Sequence, residues 1–278
     1  MCMTCGCSGG ESDASLHDLT TGERAAVAAV LDPKPGHHHH HDHDHDHHHH
    51  DDHHHHHHDG PHELVEIEQR VLATNERIAE RNRTWLDARE VTALNLMSSP
   101  GSGKTTLLVR TLTEFDGSTG VLEGDQETSL DAERVRATGA PVVQVNTGKG
   151  CHLEAEMVWQ GIQRLRPEPG GTLFIENVGN LVCPALFDLG EAAKVVLYSV
   201  TEGEDKPEKY PHMFSRADLV LLTKVDLLPH LDFDVPRTLD AIASVNPTVP
   251  VLQVSARTGE GMDAWYQWIR DRAPGRTS

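Results

Sequence analysis

The chain has 278 residues, with 43 acidic against 24 basic side chains and a formal charge of −19 when its 22 histidines are neutral. Such a balance disfavours non-specific binding to nucleic acid and suits cations, or a phosphate ligand held by local charge. No run is apolar for long enough to span a membrane, and the start, MCMTCGC, lacks the basic and apolar regions of a secretory signal, so a cytoplasmic protein with reduced thiols is expected.

Residues 1–62 are rich in Gly, Ser, Asp and His. An apolar patch at 25–31 offers a turn or two of helix. The remainder buries too little apolar surface to offset ordering entropy, so this segment reads as a disordered, metal-binding extension. Two sets of ligand-type side chains lie in it. Cys2, Cys5 and Cys7 can converge on one ion, Gly6 permitting the bend. Soft thiolates favour Ni²⁺, Zn²⁺ or Cu⁺ over Mg²⁺; idle thiols are the alternative. The run at 37–58 interleaves imidazoles with Asp42, Asp44, Asp46, Asp51 and Asp52. It suits Ni²⁺ and Zn²⁺ in many exchanging geometries, a reservoir rather than one site; a solvated acidic spacer is the alternative.

From residue 63 the pattern changes. Leu64, Ile67, Val71, Ile78 and Trp85 recur near helical spacing over 63–90, with no Pro or Gly, which predicts one long amphipathic helix leading into a domain of residues 63–278. Apolar runs at 91–97, 120–125, 141–147, 172–177, 194–200, 218–224 and 249–255 then read as strands, with helices at 105–115, 130–138, 152–165, 236–245 and 262–271. Alternating βα units with nearly continuous apolar strands predict an α/β fold, a mainly parallel sheet covered by helices on both faces. Ligands of such sheets bind at the carboxyl ends of the strands.

The first such end reads SSPGSGKTT over 98–106. Pro100, Gly101, Ser102, Gly103, Lys104, Thr105 and Thr106 have the makings of a phosphate-binding loop, although Ser98 stands where the first glycine is usual. In such a loop backbone N–H groups cradle phosphates, the lysine reaches the outer ones, and the Thr hydroxyl meets Mg²⁺. A structural Gly-rich turn would share the composition, but not the strand before and the helix after. At a later strand end, Thr223, Lys224 and Asp226 resemble the Asn-Lys-x-Asp element of GTPases, with Thr in place of Asn. A carboxylate there accepts from the ring N–H and exocyclic amine of guanine, a donor pair that adenine lacks. Ser255 and Ala256 resemble the Ser-Ala element that supports the base. GTP is therefore favoured over ATP. For hydrolysis the candidates are Lys104, Asp125 and Glu176; either carboxylate ligates Mg²⁺, directly or through water, or orients the attacking water. Gly179 lets a backbone amide approach the outermost phosphate.

Cys151 and His152 leave one strand end together, and Cys183 follows Glu176 by seven residues. A metal held by all three would tie its geometry to the nucleotide loop. Taken singly, a cysteine is more often a small core residue.

Together MCxxCGC, SSPGSGKTTLL, EGDQ, VNTGKGCHL, FIENVGNLVCP, SVTEGEDKPxKYPHMF and KVDLLP closely resemble the hydrogenase nickel-incorporation GTPases, the HypB family, over residues 1–7 and roughly 63–278. The resemblance implies a P-loop GTPase with GTP or GDP and Mg²⁺ bound, dimerising in the GTP state. It implies delivery of Ni²⁺ to the large subunit of [NiFe] hydrogenase, together with a companion nickel/zinc metallochaperone. It further implies a tight nickel site at Cys2, Cys5 and Cys7, and a regulatory nickel or zinc site at Cys151, His152 and Cys183 shared across the dimer. Leu227, Leu228 and Leu231 are candidate dimer contacts, or core. Two other readings are a nickel store with a vestigial nucleotide domain and the related urease nickel GTPase, which is expected to lack MCxxCGC and FIENVGNLVCP.

Overall fold

The computed structural model describes residues 14–27, 61–125 and 130–273, the side chains of 61–68 and 130–132 excepted. Cys2, Cys5, Cys7 and the histidine run at 37–58 lie outside the described residues.

The chain enters through two short strands, β1 (Ser15–Asp18) and β2 (Arg24–Ala26), and continues in a 27-residue helix, α1 (Pro61–Asp87). Then follow β3 (Thr92–Ser98), α2 (Lys104–Glu114), β4 (Thr119–Asp125), α3 (Leu130–Arg136), β5 (Val142–Asn146), α4 (Ala155–Leu165) and β6 (Thr172–Glu176). The second half holds α5 (Cys183–Leu186), β7 (Ala193–Ser199), α6 (Lys206–Lys209), α7 (Pro211–Ser215), β8 (Leu219–Thr223), α8 (Val235–Val245), β9 (Val251–Val254) and α9 (Met262–Arg270). A 3₁₀ turn, Val225–His230, follows β8.

One nine-stranded sheet runs β2-β1-β5-β4-β6-β3-β7-β8-β9. Strands β3 to β9 are parallel, and every residue of β3, β6 and β8 is buried. Side-chain alternation sorts the core into two faces. Leu94, Leu96, Val121 and Phe174 pack with Leu107 of α2 and Trp265 of α9 on one. Ala93, Leu122, Val143 and Ile175 pack with Leu86 of α1 and Ile162 of α4 on the other, where Met97, Val196 and Val220 meet Phe214 of α7 and Ile242 of α8. The expected two-faced parallel sheet is thus present, each strand within a residue or two of its predicted span.

The N-terminal hairpin differs from expectation. The patch at 25–31 offers a turn or two of helix by composition, yet its described part belongs to β2 and the residue after it, and residues 15–26 are not a disordered extension but an antiparallel addition to β5. Ala14 and Leu16 bury against Val145 and Leu153, which offsets the ordering cost of so short a strand. Ser15 pairs with Asn146 and with Ala26, so both ends of the hairpin lie at the carboxyl end of β5.

Helix α1 is polar on average and docks through a few specific bonds. Asn75 donates to the Asp188 carbonyl (2.7 Å) and accepts from Ala155 N–H (2.8 Å), and Asn82 donates to the Ala155 and Leu189 carbonyls. Ile78 is buried as expected and Trp85 packs against the core, whereas Val71 stays 46% exposed. Among the described residues no helix is long and apolar enough to cross a membrane.

Candidate functional site

The carboxyl ends of β3, β4 and β6 open into a cleft of about 530 Å³ lined by residues 100–106, Glu123, Asp125 and the segment from Glu176 to Gly179. The loop at 98–103 crosses from β3 to α2 with Gly103, at φ 97°, as the residue capping α2. Lys104 Nζ donates to Ser98 Oγ at 2.9 Å, so the residue in place of the usual glycine steadies the lysine. Thr105 Oγ1 donates to Glu176 Oε1 at 2.9 Å. Ser99 Oγ bonds Glu202, which also meets Lys206 at 3.2 Å and thereby ties the loop to α6.

A smaller pocket of about 270 Å³ adjoins the cleft across Ser102, Gly103 and Lys224, and is lined by Thr223, Asp226, Leu227 and Ala256. Lys224 takes a left-handed conformation (φ 60°) and its Nζ donates to the Gly101 carbonyl at 2.6 Å. Thr223 Oγ1 donates to the Ser102 carbonyl at 2.7 Å, so the substituted threonine links the β8 end to the phosphate loop directly. Asp226 Oδ1 accepts from Ser255 Oγ at 2.6 Å, and Ser255 is fully buried, which fixes the carboxylate at the pocket wall. The phosphate-type cleft and the base-type pocket therefore meet along the stem of Lys224.

Sequence spacing brought Lys104, Thr105, Asp125 and Glu176 to the cleft, but passed over Glu123. It is 3% exposed, stands opposite Glu176 in parallel register, and lines the same cleft. A signal existed: Glu123 is two residues before Asp125 in a strand, hence on the same face. Three carboxylates and a hydroxyl are hard oxygen donors, a set suited to Mg²⁺.

Cys151, His152 and Cys183 form the second site. Their ligand atoms all lie within 4.8 Å of one another and all three residues are buried. Cys151 Sγ is 3.6 Å from His152 Nδ1, and the imidazole stacks on Phe187 at 3.9 Å. Burial pushes the His152 pKa down to about 4, so the ring is neutral near pH 7 and keeps a lone pair for a metal. Its Nε2 is buried without a hydrogen-bond partner among the described residues. Two thiols and a neutral imidazole, brought together from the β5–α4 turn and the start of α5, favour a borderline-soft ion such as Ni²⁺ or Zn²⁺.

Residues 92–253 match the CobW/HypB/UreG nucleotide-binding domain family. The hydrogenase maturation factor HypB of Escherichia coli strain K12 is 49% identical over 284 aligned residues, 97% of this chain and 98% of that protein. The chain belongs to the HypB family. The HypB of Rhizobium leguminosarum bv. viciae is 57% identical over 77% of this chain and 72% of its own length. Among solved structures, HypB from Helicobacter pylori in complex with nickel superposes with a TM-score of 0.68 at 35% identity, covering 74% of this chain and 99% of that one. HypB from Archaeoglobus fulgidus gives 0.67 at 39%, covering 72% and 98%. HypB proteins are P-loop GTPases, and the sheet order and the two adjoining pockets agree with that fold.

Proposed function

We propose that this chain binds and hydrolyses GTP, binds Ni²⁺, and couples the two in the maturation of [NiFe] hydrogenase. The observation that carries the proposal is the continuity of one segment: Glu176 and Gly179 line the nucleotide cleft, and Cys183, seven residues after Glu176, belongs to the thiol–imidazole cluster. A loop that changes with the terminal phosphate changes the metal donors at its other end.

In this reading the residues 100–106 and Lys104 hold the phosphates, Asp226, Lys224, Ser255 and Ala256 hold guanine, and Thr223 braces the loop. Thr105, Glu123, Asp125 and Glu176 hold Mg²⁺, which supplies charge neutralisation at the phosphates when bound. Cys151, His152 and Cys183 bind nickel, or zinc in a regulatory state. Cys2, Cys5 and Cys7 form a separate tight nickel site, and the histidine run at 37–58 stores the ion. The register of β1 supports this arrangement, since Ser15 and Ala26 lie at the carboxyl end of β5, the strand that leads to Cys151 and His152. Residues 63–278 act as the GTPase domain in a cytoplasmic, GTP-favoured homodimer. Leu231, 39% exposed, is its candidate contact, while Leu227 and Leu228 pack partly against the core. The companion metallochaperone and the hydrogenase large subunit are its partners.

The test is paired. GTP hydrolysis should be lost in Lys104→Ala, and nickel held against a competing chelator should fall in Cys183→Ala while hydrolysis persists. Unaltered nickel binding in Cys183→Ala on a chain whose Cys2, Cys5 and Cys7 are also serine would remove the cluster from the proposal. Deleting 36–60 should lower stored nickel and leave turnover nearly intact; collapse of turnover would make the run structural.

A further inference from the structure

The last residue of β6 and the residue after it point to opposite faces of the sheet, as strand geometry demands. Glu176 faces the α2 side and accepts from Thr105 in the nucleotide cleft. Asn177, 1% exposed, faces the α4 side. There its Oδ1 accepts from the N–H of Leu153 at 3.1 Å, and Leu153 is the residue immediately after His152. The same oxygen accepts from Val178 N–H at 2.9 Å.

The other end of the carboxamide is also engaged. Asn177 Nδ2 donates to Asn95 Oδ1 at 3.2 Å, and Asn95 Nδ2 donates to Glu191 Oε1 at 3.1 Å. Glu191 is fixed by Leu189 N–H at 2.7 Å and by Lys194 at 2.7 Å. Asn95 belongs to β3, the strand that feeds the phosphate loop. On the nucleotide side, Gly179 lies so close to Pro100 that a Cβ there would meet its Cα at 3.3 Å, so movement of the phosphate loop presses on the segment that Asn177 begins. One buried amide thus joins the strand behind the phosphates, the loop beside them and the turn that bears the metal donors.

We infer that Asn177 is the positioning residue that transmits the nucleotide state to the Cys151–His152–Cys183 cluster, through its bond to the Leu153 N–H. The inference rests on the proposed nucleotide-gated nickel site and names the atom pair that does the gating. Buried polar networks have few alternative arrangements because each unmatched group is costly, so a shift at one member forces the others. Asn177 acts through the path of the turn that carries two of the metal donors.

The experiment uses the full chain with Cys2, Cys5 and Cys7 changed to serine, so that thiolate-to-nickel absorption reports on Cys151 and Cys183. Nickel affinity is measured against a chelator with saturating GDP and with a saturating non-hydrolysable GTP analogue. A coupling between two sites is typically about 5–150-fold. That ratio should collapse towards one in Asn177→Ser, whose hydroxyl is too short to reach Leu153. It should fall in Asn177→Asp too, which keeps an oxygen for the Leu153 N–H but leaves Asn95 Oδ1 without its donor. An unchanged ratio in Asn177→Ser overturns the inference and leaves nickel gating standing. If that variant does not fold, Asn95→Ala, which releases the far end of the amide, takes its place, and an unchanged ratio there overturns it equally. A ratio of one in the parent chain overturns both gating and relay, while GTP hydrolysis and nickel absorption, read separately, keep the two binding activities intact.

Discussion

Glu123 and Glu176 are register partners across β4 and β6, both buried and both facing the cleft in which Thr105 donates to Glu176. Two carboxylates at one buried place repel unless a cation lies near them. Changing Glu123 to Gln should therefore raise the melting temperature of the nucleotide-free protein slightly and reduce the further rise that Mg²⁺ and GTP produce. Glu176→Gln should also raise the Mg²⁺ concentration for half-maximal hydrolysis by about tenfold or more, since a hydrogen bond to a charged group contributes roughly 1.5–3 kcal/mol. Calorimetry with and without Mg²⁺ checks both. Equal Mg²⁺ stabilisation in wild type and Glu123→Gln would place the ion elsewhere.

Asp226 is held by Ser255 with one oxygen and has Arg257 at 3.9 Å from the other. An amide in its place presents a donor where guanine also donates. Asp226→Asn should weaken GTP by about 10–100-fold, the equivalent of losing one charge-assisted hydrogen bond. Xanthosine triphosphate, which carries a carbonyl in place of the exocyclic amine, should bind the variant better than GTP does. Competition against a fluorescent guanine nucleotide measures this; retained GTP preference would move the base to another wall of the pocket.

The strand ends that build these pockets were legible because the strands are continuous apolar runs and the loop residues hold fixed spacings. The hairpin at 15–26 was not: SLHD and RAA carry little apolar signal, and what orders them is the edge of β5, reached only in three dimensions. The short helices α5, α6 and α7 have four or five residues each, too few for a period to register. Cys151, His152 and Cys183 were found as residues, but their convergence comes from Phe187 stacking on the ring and from the β6–α5 connection. Asn177 and its partners were invisible for another reason. Asn95 is 82 positions away and Glu191 a further 96 from Asn95, and a lone asparagine carries no motif.

Thr223 gives the next test. Its hydroxyl donates to the Ser102 carbonyl inside the phosphate loop, and the pair is buried. Thr223→Val keeps the shape and leaves that carbonyl without its donor. An unmatched buried polar group costs about 1–3 kcal/mol. Both GTP and GDP affinity should fall together, severalfold or more, because the tie supports the loop and not one phosphate. A loss confined to GTP would contradict this.

Arg83 clamps Asp188 with two bonds of 2.9 and 2.7 Å and so fastens α1 to the chain before β7. Burial opposes ionisation of Asp188, but the Gly190 N–H and Arg83 outweigh it and hold the carboxyl below its usual range. A lowered folded pKa contributes stability above the unfolded value, near pH 4, and loses it as pH falls further. Both side chains are about one-third exposed, so solvent screening limits the pair to about 0.5–1 kcal/mol. Arg83→Ala should lower the unfolding free energy at pH 7, read from urea titration, by that amount. The difference from wild type should shrink below pH 4; a constant difference would assign the loss to packing.

Gly190 is where α1 comes closest to the domain. Its φ is +86°, and a Cβ would stand 2.5 Å from the Ala79 carbonyl oxygen and 2.8 Å from Arg83 N, both rigid helix backbone. Gly190→Ala therefore combines left-handed strain with overpacking, together about 2–4 kcal/mol. The relief open to the protein is to lift α1, which stretches the bonds from Asn75 to Ala155 and from Asn82 to Ala155 and Leu189. Ala155 opens α4, two residues after Leu153, so the disturbance reaches the turn bearing Cys151 and His152. The nucleotide pockets are built on β3, β4, β6 and β8, and among the described residues none from α1 lines them. Nickel–thiolate absorption should accordingly weaken in Gly190→Ala at a temperature where GTP binding is still near normal. A variant within about 0.5 kcal/mol of wild type, the range of an ordinary surface change, would mean that α1 is free to move at no cost.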